Sequence, residues 1–144
     1  MNKISVISLG KNKKEIEEKL KILILKTLKI LKKDNVLIDI YLISGIRMKF
    51  LNKKFRGKDK TTTILSFVEP RNFILPPSKF RKLGEIYLNI ANIKHQELRD
   101  KLAVHGVLHL LGYNHNRKSD RIKMEKKEKW IIGKLDSCNN RKSY

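Results

Sequence analysis

One short stretch of this chain, residues 102–115, constrains its possible structure and function more than any other. It reads Leu-Ala-Val-His-Gly-Val-Leu-His-Leu-Leu-Gly-Tyr-Asn-His and holds three of the protein's 4 histidines. On a helix, His105 and His109 lie one turn apart on the same face. Gly112 suits the left-handed residue that ends a helix, and the turn after it can bring His115 back toward that face. The spacing His-x-x-x-His-x-x-Gly-x-x-His therefore predicts three converging imidazoles.

A group of three converging histidines is typical of a catalytic metal site. Neutral imidazole is a favoured ligand of Zn²⁺, and three protein ligands leave one coordination position for water. A closed structural site normally has four ligands, often cysteines, and the only cysteine here is the distant Cys138. The helix around the histidines is apolar nearly all round, which implies burial, and buried imidazoles need polar partners. We therefore expect one zinc ion held by His105, His109 and His115.

At one position the histidine stretch differs from the signature of the zinc proteases. In that signature a glutamate follows the first histidine and acts as the general base. Here the corresponding residue is Gly106. A peptidase would therefore need another acid within reach of the metal, and we expect the metal to serve a different reaction.

The charge of the chain indicates a polyanionic partner. Its 144 residues include 34 lysines and arginines against 14 acidic residues, which gives a formal net charge of +20. Such an excess favours nucleic acid, although lysine-rich surfaces also occur as solvated faces. A single cysteine favours a reducing compartment, and no apolar run approaches the roughly 18 residues of a membrane span. We expect a cytoplasmic protein with no signal peptide and no membrane contact.

Hydrophobic periodicity predicts a single α+β domain over residues 1–144, with residues 136–144 frayed. The expected strands are Ile4–Leu9, Val36–Ile43, Thr61–Phe67 and Leu83–Ile90. The expected helices run from Asn12 to about Lys33, from Gly45 to Phe55, from Lys94 to Leu111 and from Ser119 to Ile132. This order predicts a small mixed four-stranded sheet covered by helices, with a zincin-like metal helix against it.

The same patterns predict the surroundings of several individual side chains. Ser44 is expected to cap the second helix, with three apolar residues facing inward: Ile46, Phe50 and Leu51. Trp130 is expected in the core rather than as a platform for stacking bases. His95 is expected at the surface near the start of the metal helix. The loop Arg71–Leu83, which contains two adjacent prolines, is expected to border a cleft.

The polar stretch 56–63, Arg-Gly-Lys-Asp-Lys-Thr-Thr-Thr, is similar to a phosphate-binding loop only at first sight. It lacks the Gly-x-x-x-x-Gly-Lys-Ser/Thr spacing and follows a helix rather than a strand, so no nucleotide cofactor is expected. Arg56 next to a glycine can bind a phosphate through two hydrogen bonds. The residues alone leave two alternatives for this stretch: a solvated turn, or a cationic group that faces the metal cleft.

Taken together, the motifs resemble those of the YbeY family, bacterial endoribonucleases that mature ribosomal RNA. The resemblance covers most of residues 1–133 and rests on five segments: His105–His115, Leu51–Asp59, Leu65–Phe67, Leu83–Ile86 and Met124-Glu125. It implies an α+β fold related to zinc-protease architecture and a zinc ion held by the three histidines of the 105–115 block. By position, it implies a functional role for Arg56.

The resemblance also implies an activity and its substrate. The family cleaves single-stranded RNA, acts on the 3′ end of 16S rRNA in the small ribosomal subunit and takes part in ribosome quality control. From this we expect hydrolysis of RNA phosphodiesters by hydroxide held on the metal, with Arg56 and His105 as catalytic residues. Lysines would hold the RNA backbone without reading its sequence.

Two positions depart from the family pattern. The family usually has an aspartate before the last histidine, where this chain has Asn114, and it usually has Pro-Thr-Asp where this chain has three threonines, residues 61–63. Both changes remove an acid. We expect the fold and metal binding to survive them, whereas the rate of catalysis is the more sensitive property.

The sequence does not identify the general acid or base. Glu85 and Asp59 are candidates, but no motif spacing places either of them beside the histidines. The sequence also leaves open two other classes of function. One is a ribosome-assembly factor that binds RNA without cleaving it and keeps its metal for structure. The other is a peptidase with an acid supplied from elsewhere in the fold.

Overall fold

The computed structural model describes residues 1–11, 13–70 and 80–141, with side chains up to residue 137. Over these ranges the elements are β1 (Lys3–Ser8), α1 (Lys14–Ile30), β2 (Val36–Ile43), α2 (Gly45–Arg56), β3 (Ile64–Val68), β4 (Arg81–Asn89), α3 (Gln96–Leu110) and α4 (Lys118–Arg141). A short 3-10 turn, Ile90–Asn92, joins β4 to α3. The predicted α+β class is confirmed.

The four strands form one mixed sheet in the order β1-β2-β4-β3. β1 pairs with β2 and β2 with β4 in parallel, whereas β3 pairs with β4 in the antiparallel direction. Parallel neighbours need long crossover connections, and α1 supplies the first of these between β1 and β2. The predicted mixed four-stranded sheet is therefore confirmed.

The main core lies between one face of the sheet and the helices α1 and α3. Its sheet residues include Ile38, Ile40, Ile86 and Leu88, and these pack against Leu20, Ile24, Ala103 and Val107 of the two helices. A second cluster joins α3 to α4 through Val104, Leu108, Met124, Ile131 and Leu135. α3 thus lies between the sheet and α4, which explains why its sequence is apolar nearly all round.

The second helix presents a different face to the sheet from the one predicted. Ser44 caps it as expected, accepting a hydrogen bond from the Arg47 backbone N–H at 3.3 Å. However, Met48 is fully buried, while Ile46 is 85% and Phe50 64% exposed. Successive helical residues differ by about 100°, so the cap and the packing of Met48 leave Ile46 on the outer side. The inward placement predicted for these two residues is wrong.

The last helix is longer than predicted and packs through other residues. It continues to Arg141 rather than ending at Ile132, so residues 136–141 are helical rather than frayed. Ile131 and Leu135 are buried, whereas Trp130 remains 44% exposed. The prediction that Trp130 lies in the core is therefore wrong. Within the described residues, no helix combines the length and apolar character that crossing a membrane requires.

Other predicted boundaries differ by a few residues. The third strand begins at Ile64 rather than Thr61 because Thr61 and Thr62 accept hydrogen bonds from the Asn89 side chain at 3.1 and 3.2 Å. In the predicted loop Arg71–Leu83, residues 81–83 belong to β4, and residues 71–79 lie outside the described ranges. Asn12, the predicted start of the first helix, also lies outside them.

Gly84 allows two strands and a helix to approach closely. It lies at φ 152°, next to a register shift in the β2–β4 pairing. A Cβ atom there would lie 2.1 Å from the Phe67 backbone oxygen and 2.7 Å from a methyl group of Leu110. We expect Gly84→Ala to lower the free energy of unfolding by about 3 kcal/mol or more, since neither the strained φ nor the backbone contact can relax easily. Urea denaturation of the purified variant measures this loss.

Gly133→Ala is the matched control for that substitution. Nothing lies within 4 Å of a Cβ atom at Gly133, which lies within α4. Alanine there is expected to leave stability unchanged or raise it by up to about 1 kcal/mol. If Gly84→Ala were as stable as the wild type, the close approach at Gly84 would be refuted.

Candidate metal centre

The histidines are positioned by the end of α3 and the turn that follows it. His105 and His109 project from the last two turns of the helix, which ends at Leu110. The backbone N–H of Tyr113 donates to the Leu108 carbonyl at 3.1 Å, and Gly112 has a φ of 104°. The predicted positive φ at Gly112 is confirmed. This turn reverses the chain so that His115 returns to the helix face carrying the other two rings.

The three imidazoles converge on one point. One nitrogen of each ring lies within 4.8 Å of a nitrogen of the other two. The ring centroids are 5.3 Å apart for His105 and His109, 4.8 Å for His105 and His115, and 5.3 Å for His109 and His115. Three nitrogens that share one tetrahedral Zn²⁺ lie about 2 Å from the ion and so about 3.3 Å from each other. The separations in the group exceed that value by up to about 1.5 Å, so a small closing movement of the rings would let the group hold a metal ion.

The electrostatics around His109 favour the neutral imidazole that a metal requires. Burial, reinforced by His105, His115 and Arg56, holds the pKa of His109 below its ordinary value of 6.5. The imidazole of His109 is therefore uncharged at neutral pH and keeps a lone pair for coordination. In the described parts of the chain, no carboxylate or thiolate joins the three histidines as a fourth candidate ligand.

The position of Arg56 relative to the histidines is seen in its electrostatic effect on His109. This arginine is the last residue of α2, is exposed, and precedes Gly57, whose φ of 69° ends the helix. Its charge contributes to lowering the pKa of His109, so the guanidinium is within electrostatic range of the histidines. Arg56 is thus near enough to His109 for the cationic alternative that the sequence left, and its exposure also fits a solvated turn.

The two acids considered from the sequence do not join the histidines. Glu85 accepts hydrogen bonds from Lys82 at 3.2 Å and from the Tyr87 hydroxyl at 3.1 Å. It lies on the face of the sheet opposite α3, because its neighbour Ile86 belongs to the core beneath that helix. Asp59 lies 3.9 Å from the Lys49 ammonium group. Both carboxylates therefore have lysine partners, and neither belongs to the histidine group.

Glu128 is the site residue that the sequence reasoning missed. It is only 8% exposed, and its Oε1 lies 2.6 Å from Nδ1 of His105. A carboxylate in this position holds Nδ1 protonated and leaves Nε2 free to coordinate. Glu128 lies in a lysine-rich stretch of α4, and only the packing of α4 on α3 brings it to the histidine. The sequence offered one signal for it: at helical spacing, Glu128 falls on the same side of α4 as the apolar residues Met124 and Ile131, which is the buried side.

We expect Glu128→Gln to weaken metal affinity by about 10- to 100-fold, because a neutral amide orients the imidazole less firmly and no longer raises its basicity. Glu128→Ala is expected to weaken it further. Competition with a chromophoric chelator measures the affinity without reference to activity. Glu125→Gln is the control, since Glu125 borders the same groove but makes no hydrogen bond to a histidine. Unchanged affinity in Glu128→Gln would show that the contact with His105 is incidental.

A groove of about 910 Å³ extends from His105 and His115 between α1, α3 and α4. Its walls carry 5 acidic side chains, among them Glu97, Asp100 and Asp136, against the two lysines Lys101 and Lys129. Burial raises the pKa of Asp100, and Asp136 adds to this effect. An acidic groove repels a polyanion, so a polyanion is expected to approach the histidines from the side of Arg56.

The two departures from the family pattern have local structural roles. The side-chain oxygen of Asn114 accepts a hydrogen bond from the Asn116 backbone N–H at 3.1 Å and so stabilises the turn that carries His115. The hydroxyl of Thr61 donates to the Gly45 carbonyl at 3.1 Å and accepts from Asn89. Thr61 therefore ties the start of α2 to the end of β4.

Comparison with known proteins identifies the family. The family described as Endoribonuclease YbeY matches residues 5–136. A relative named Endoribonuclease YbeY from Sulfurihydrogenibium sp. (strain YO3AOP1) is 38% identical over 121 residues, covering 77% of this chain and 78% of its own. One of the same name from Buchnera aphidicola subsp. Cinara cedri is 33% identical over 119 residues, covering 76% of each. The solution structure of TM1509 from Thermotoga maritima superposes with a TM-score of 0.54 at 28% identity, covering 93% of this chain and 92% of its own. On these matches, the chain belongs to the YbeY endoribonuclease family.

Proposed function

We propose that this protein is a metal-dependent endoribonuclease that hydrolyses phosphodiester bonds in single-stranded RNA. The convergence of three imidazoles, with nitrogens within 4.8 Å of one another, is the observation that carries the proposal. Family membership supports RNA as the substrate. We further propose, from the resemblance, that the protein acts in the cytoplasm on the 3′ end of 16S rRNA in the small ribosomal subunit and in ribosome quality control.

His105, His109 and His115 would hold the metal, for which the all-imidazole donor set makes Zn²⁺ the proposed ion. When bound, Zn²⁺ would act as a Lewis acid and would lower the pKa of water to about 7. Glu128 holds the ring of His105 in orientation through its contact at 2.6 Å. His109 stays neutral because its pKa is lowered by burial and by nearby positive groups.

Arg56 is proposed to bind the phosphate that is cleaved. A guanidinium can donate two parallel hydrogen bonds to phosphate oxygens and so stabilise the charge that builds up on them in the transition state. Its position at the exposed end of α2, within electrostatic range of His109, supports this role. Lys53 and Lys54 of the same helical turn add positive charge on the path of the RNA backbone.

The acidic groove and the basic end of α2 support one direction of substrate approach. With a net charge of +20, the protein attracts RNA as a whole. The carboxylates along the groove between α3 and α4 repel the phosphates locally, whereas Arg56 attracts them. Binding through lysines and arginines is expected to weaken steeply with salt, as released counterions make phosphate contacts salt-dependent.

Cleavage of an unstructured, end-labelled RNA by metal-free and zinc-reconstituted protein tests the proposal. The reconstituted protein is expected to cut the single strand and to leave a duplex of the same sequence intact, and a chelator is expected to stop cleavage. A precursor carrying the 3′ end of 16S rRNA tests the finer proposal. Equal cleavage by the metal-free protein would contradict the metal-dependent mechanism.

A second function, an RNA-binding ribosome-assembly factor with a structural metal, is favoured by one observation. Gly106 occupies the place of the zinc-protease base, and the acid that contacts the histidines in the described residues, Glu128, is bound to Nδ1 of His105. This alternative predicts that reconstituted protein binds the RNA but leaves it intact. It also predicts that metal removal lowers the melting temperature without changing RNA affinity.

A further inference from the structure

The outer face of α4 carries an exposed tryptophan among lysines. Trp130 is 44% exposed, although it is one of the largest apolar side chains in the protein. The Lys127 ammonium lies 4.4 Å from the centroid of its ring, and that of Lys134 lies 5.8 Å from it. The ring is thus held against α4 by two cations rather than by core residues.

The acidic side chains of this helix lie mostly on one side of it. Glu125, Glu128 and Asp136 border the acidic groove next to α3, with Lys129 among them. With about 3.6 residues per turn, Trp130 lies on the opposite side, in register with four lysines: Lys123, Lys126, Lys127 and Lys134. In the described ranges, none of these lysines lies within 4 Å of a carboxylate oxygen. Their charges are therefore available to an external anion.

The basic face leads toward the metal centre. Lys123 and Asp120 of α4 border a small hollow together with Tyr113 and Asn114, which belong to the turn between α3 and His115. A polyanion bound along α4 would therefore reach this turn without entering the acidic groove on the other side of the helix. One polyanion can therefore bind this face with one segment while another of its segments lies at the histidines.

We propose that the α4 face formed by Lys123, Lys127, Trp130 and Lys134 binds a single-stranded segment of RNA beyond the cleavage site. One base stacks on Trp130, and the lysines bind the flanking phosphates. Stacking on an aromatic ring needs an exposed base face, which a single strand offers and a duplex hides. A protein partner fits this face poorly, because lysine is depleted at protein interfaces. The proposal rests on the proposed function in taking RNA as the ligand.

The protein has 1 tryptophan, so its intrinsic fluorescence reports on this face alone. Metal-free protein is titrated with a short oligouridine, which cannot form a stable duplex. Saturable quenching of Trp130 fluorescence is expected, and it should weaken with added salt. In anisotropy measurements with labelled oligouridine, Trp130→Ala is expected to lower the affinity about 5- to 150-fold, the range for loss of one base stack. Trp130→Phe retains a ring and should recover most of that loss.

Two double charge-reversal variants distinguish binding at this face from general electrostatic attraction to the protein. Lys127→Glu with Lys134→Glu is expected to weaken binding far more than Lys21→Glu with Lys29→Glu, which makes the same charge change at exposed positions of α1. Melting curves check that all variants fold. Equal losses in the two pairs, or oligouridine binding with no change in Trp130 fluorescence, would overturn the proposal. Self-association that depends on Trp130, with no response to RNA, would assign the face to a protein contact instead.

Because the titration uses metal-free protein, it is independent of cleavage. Quenching without any cleavage after zinc reconstitution would refute the nuclease and retain the RNA-binding face. Cleavage without quenching would refute the face and retain the nuclease.

Discussion

His109→Ala is expected to abolish both metal binding and RNA cleavage. The His109 ring lies 5.3 Å from each of the other two rings and is the member of the group whose pKa is lowered. Two remaining imidazoles bind Zn²⁺ much more weakly, so the metal content of purified protein should fall from about one ion per chain to near zero. Cleavage of unstructured RNA should fall by about 1000-fold or more, since water is no longer activated. Elemental analysis and the end-labelled RNA assay measure the two effects.

His95→Ala is the matched control, since it removes the fourth histidine at the start of the same helix. His95 is exposed, its side chain makes no capping hydrogen bond, and it does not belong to the converging group. Metal content and cleavage are expected to match the wild type. Wild-type cleavage by folded His109→Ala protein would show that the histidines do not form the reactive centre.

Gly106→Glu, which restores the zinc-protease glutamate, is expected to destabilise the fold rather than create a peptidase. Gly106 is buried, and a Cβ atom there would lie 2.9 Å from Cδ1 of Ile86 and 3.1 Å from Cδ1 of Ile64. The added side chain would therefore enter the contact between α3 and the sheet and bury an unpaired carboxylate. Overpacking and desolvation together are expected to lower the free energy of unfolding by about 4 kcal/mol or more. Urea denaturation and peptide hydrolysis assays test both parts.

Lys101→Glu introduces the same side chain at an exposed position of the same helix. It is expected to change stability by no more than about 0.5 kcal/mol. A Gly106→Glu protein that stayed as stable as this control and hydrolysed peptides would show that residue 106 faces the metal. The distinction from the zinc proteases would then fail.

The burial predictions that failed share one physical cause. Ile46, Phe50 and Trp130 are large apolar residues on helices whose apolar residues do not all fit on one face. For each helix, the face that packs is decided by a few long-range contacts, such as Met48 below α2 and Ile131 below α4. A shift of one residue rotates a side chain by about 100°, so composition alone does not decide which residue is buried.

The sequence by itself determined the converging histidines, because their spacing is a local property of one helix and one turn. His105 and His109 follow from the helical repeat, and His115 follows from the positive φ that Gly112 adopts. Val36–Ile43 was likewise predicted with the boundaries observed, since its β-branched residues and its short length favour a strand over a helix. Such features depend on residues within a few positions of each other.

Only the tertiary structure decided which distant residues surround the histidines. Glu128 contacts His105 although 23 positions of sequence separate them. Arg56 comes within electrostatic range of His109 from another helix. The separation of an acidic groove from a basic face on α4 likewise depends on which side of that helix packs against α3. These arrangements follow from the packing of several helices on one sheet, and no spacing within a single element encodes them.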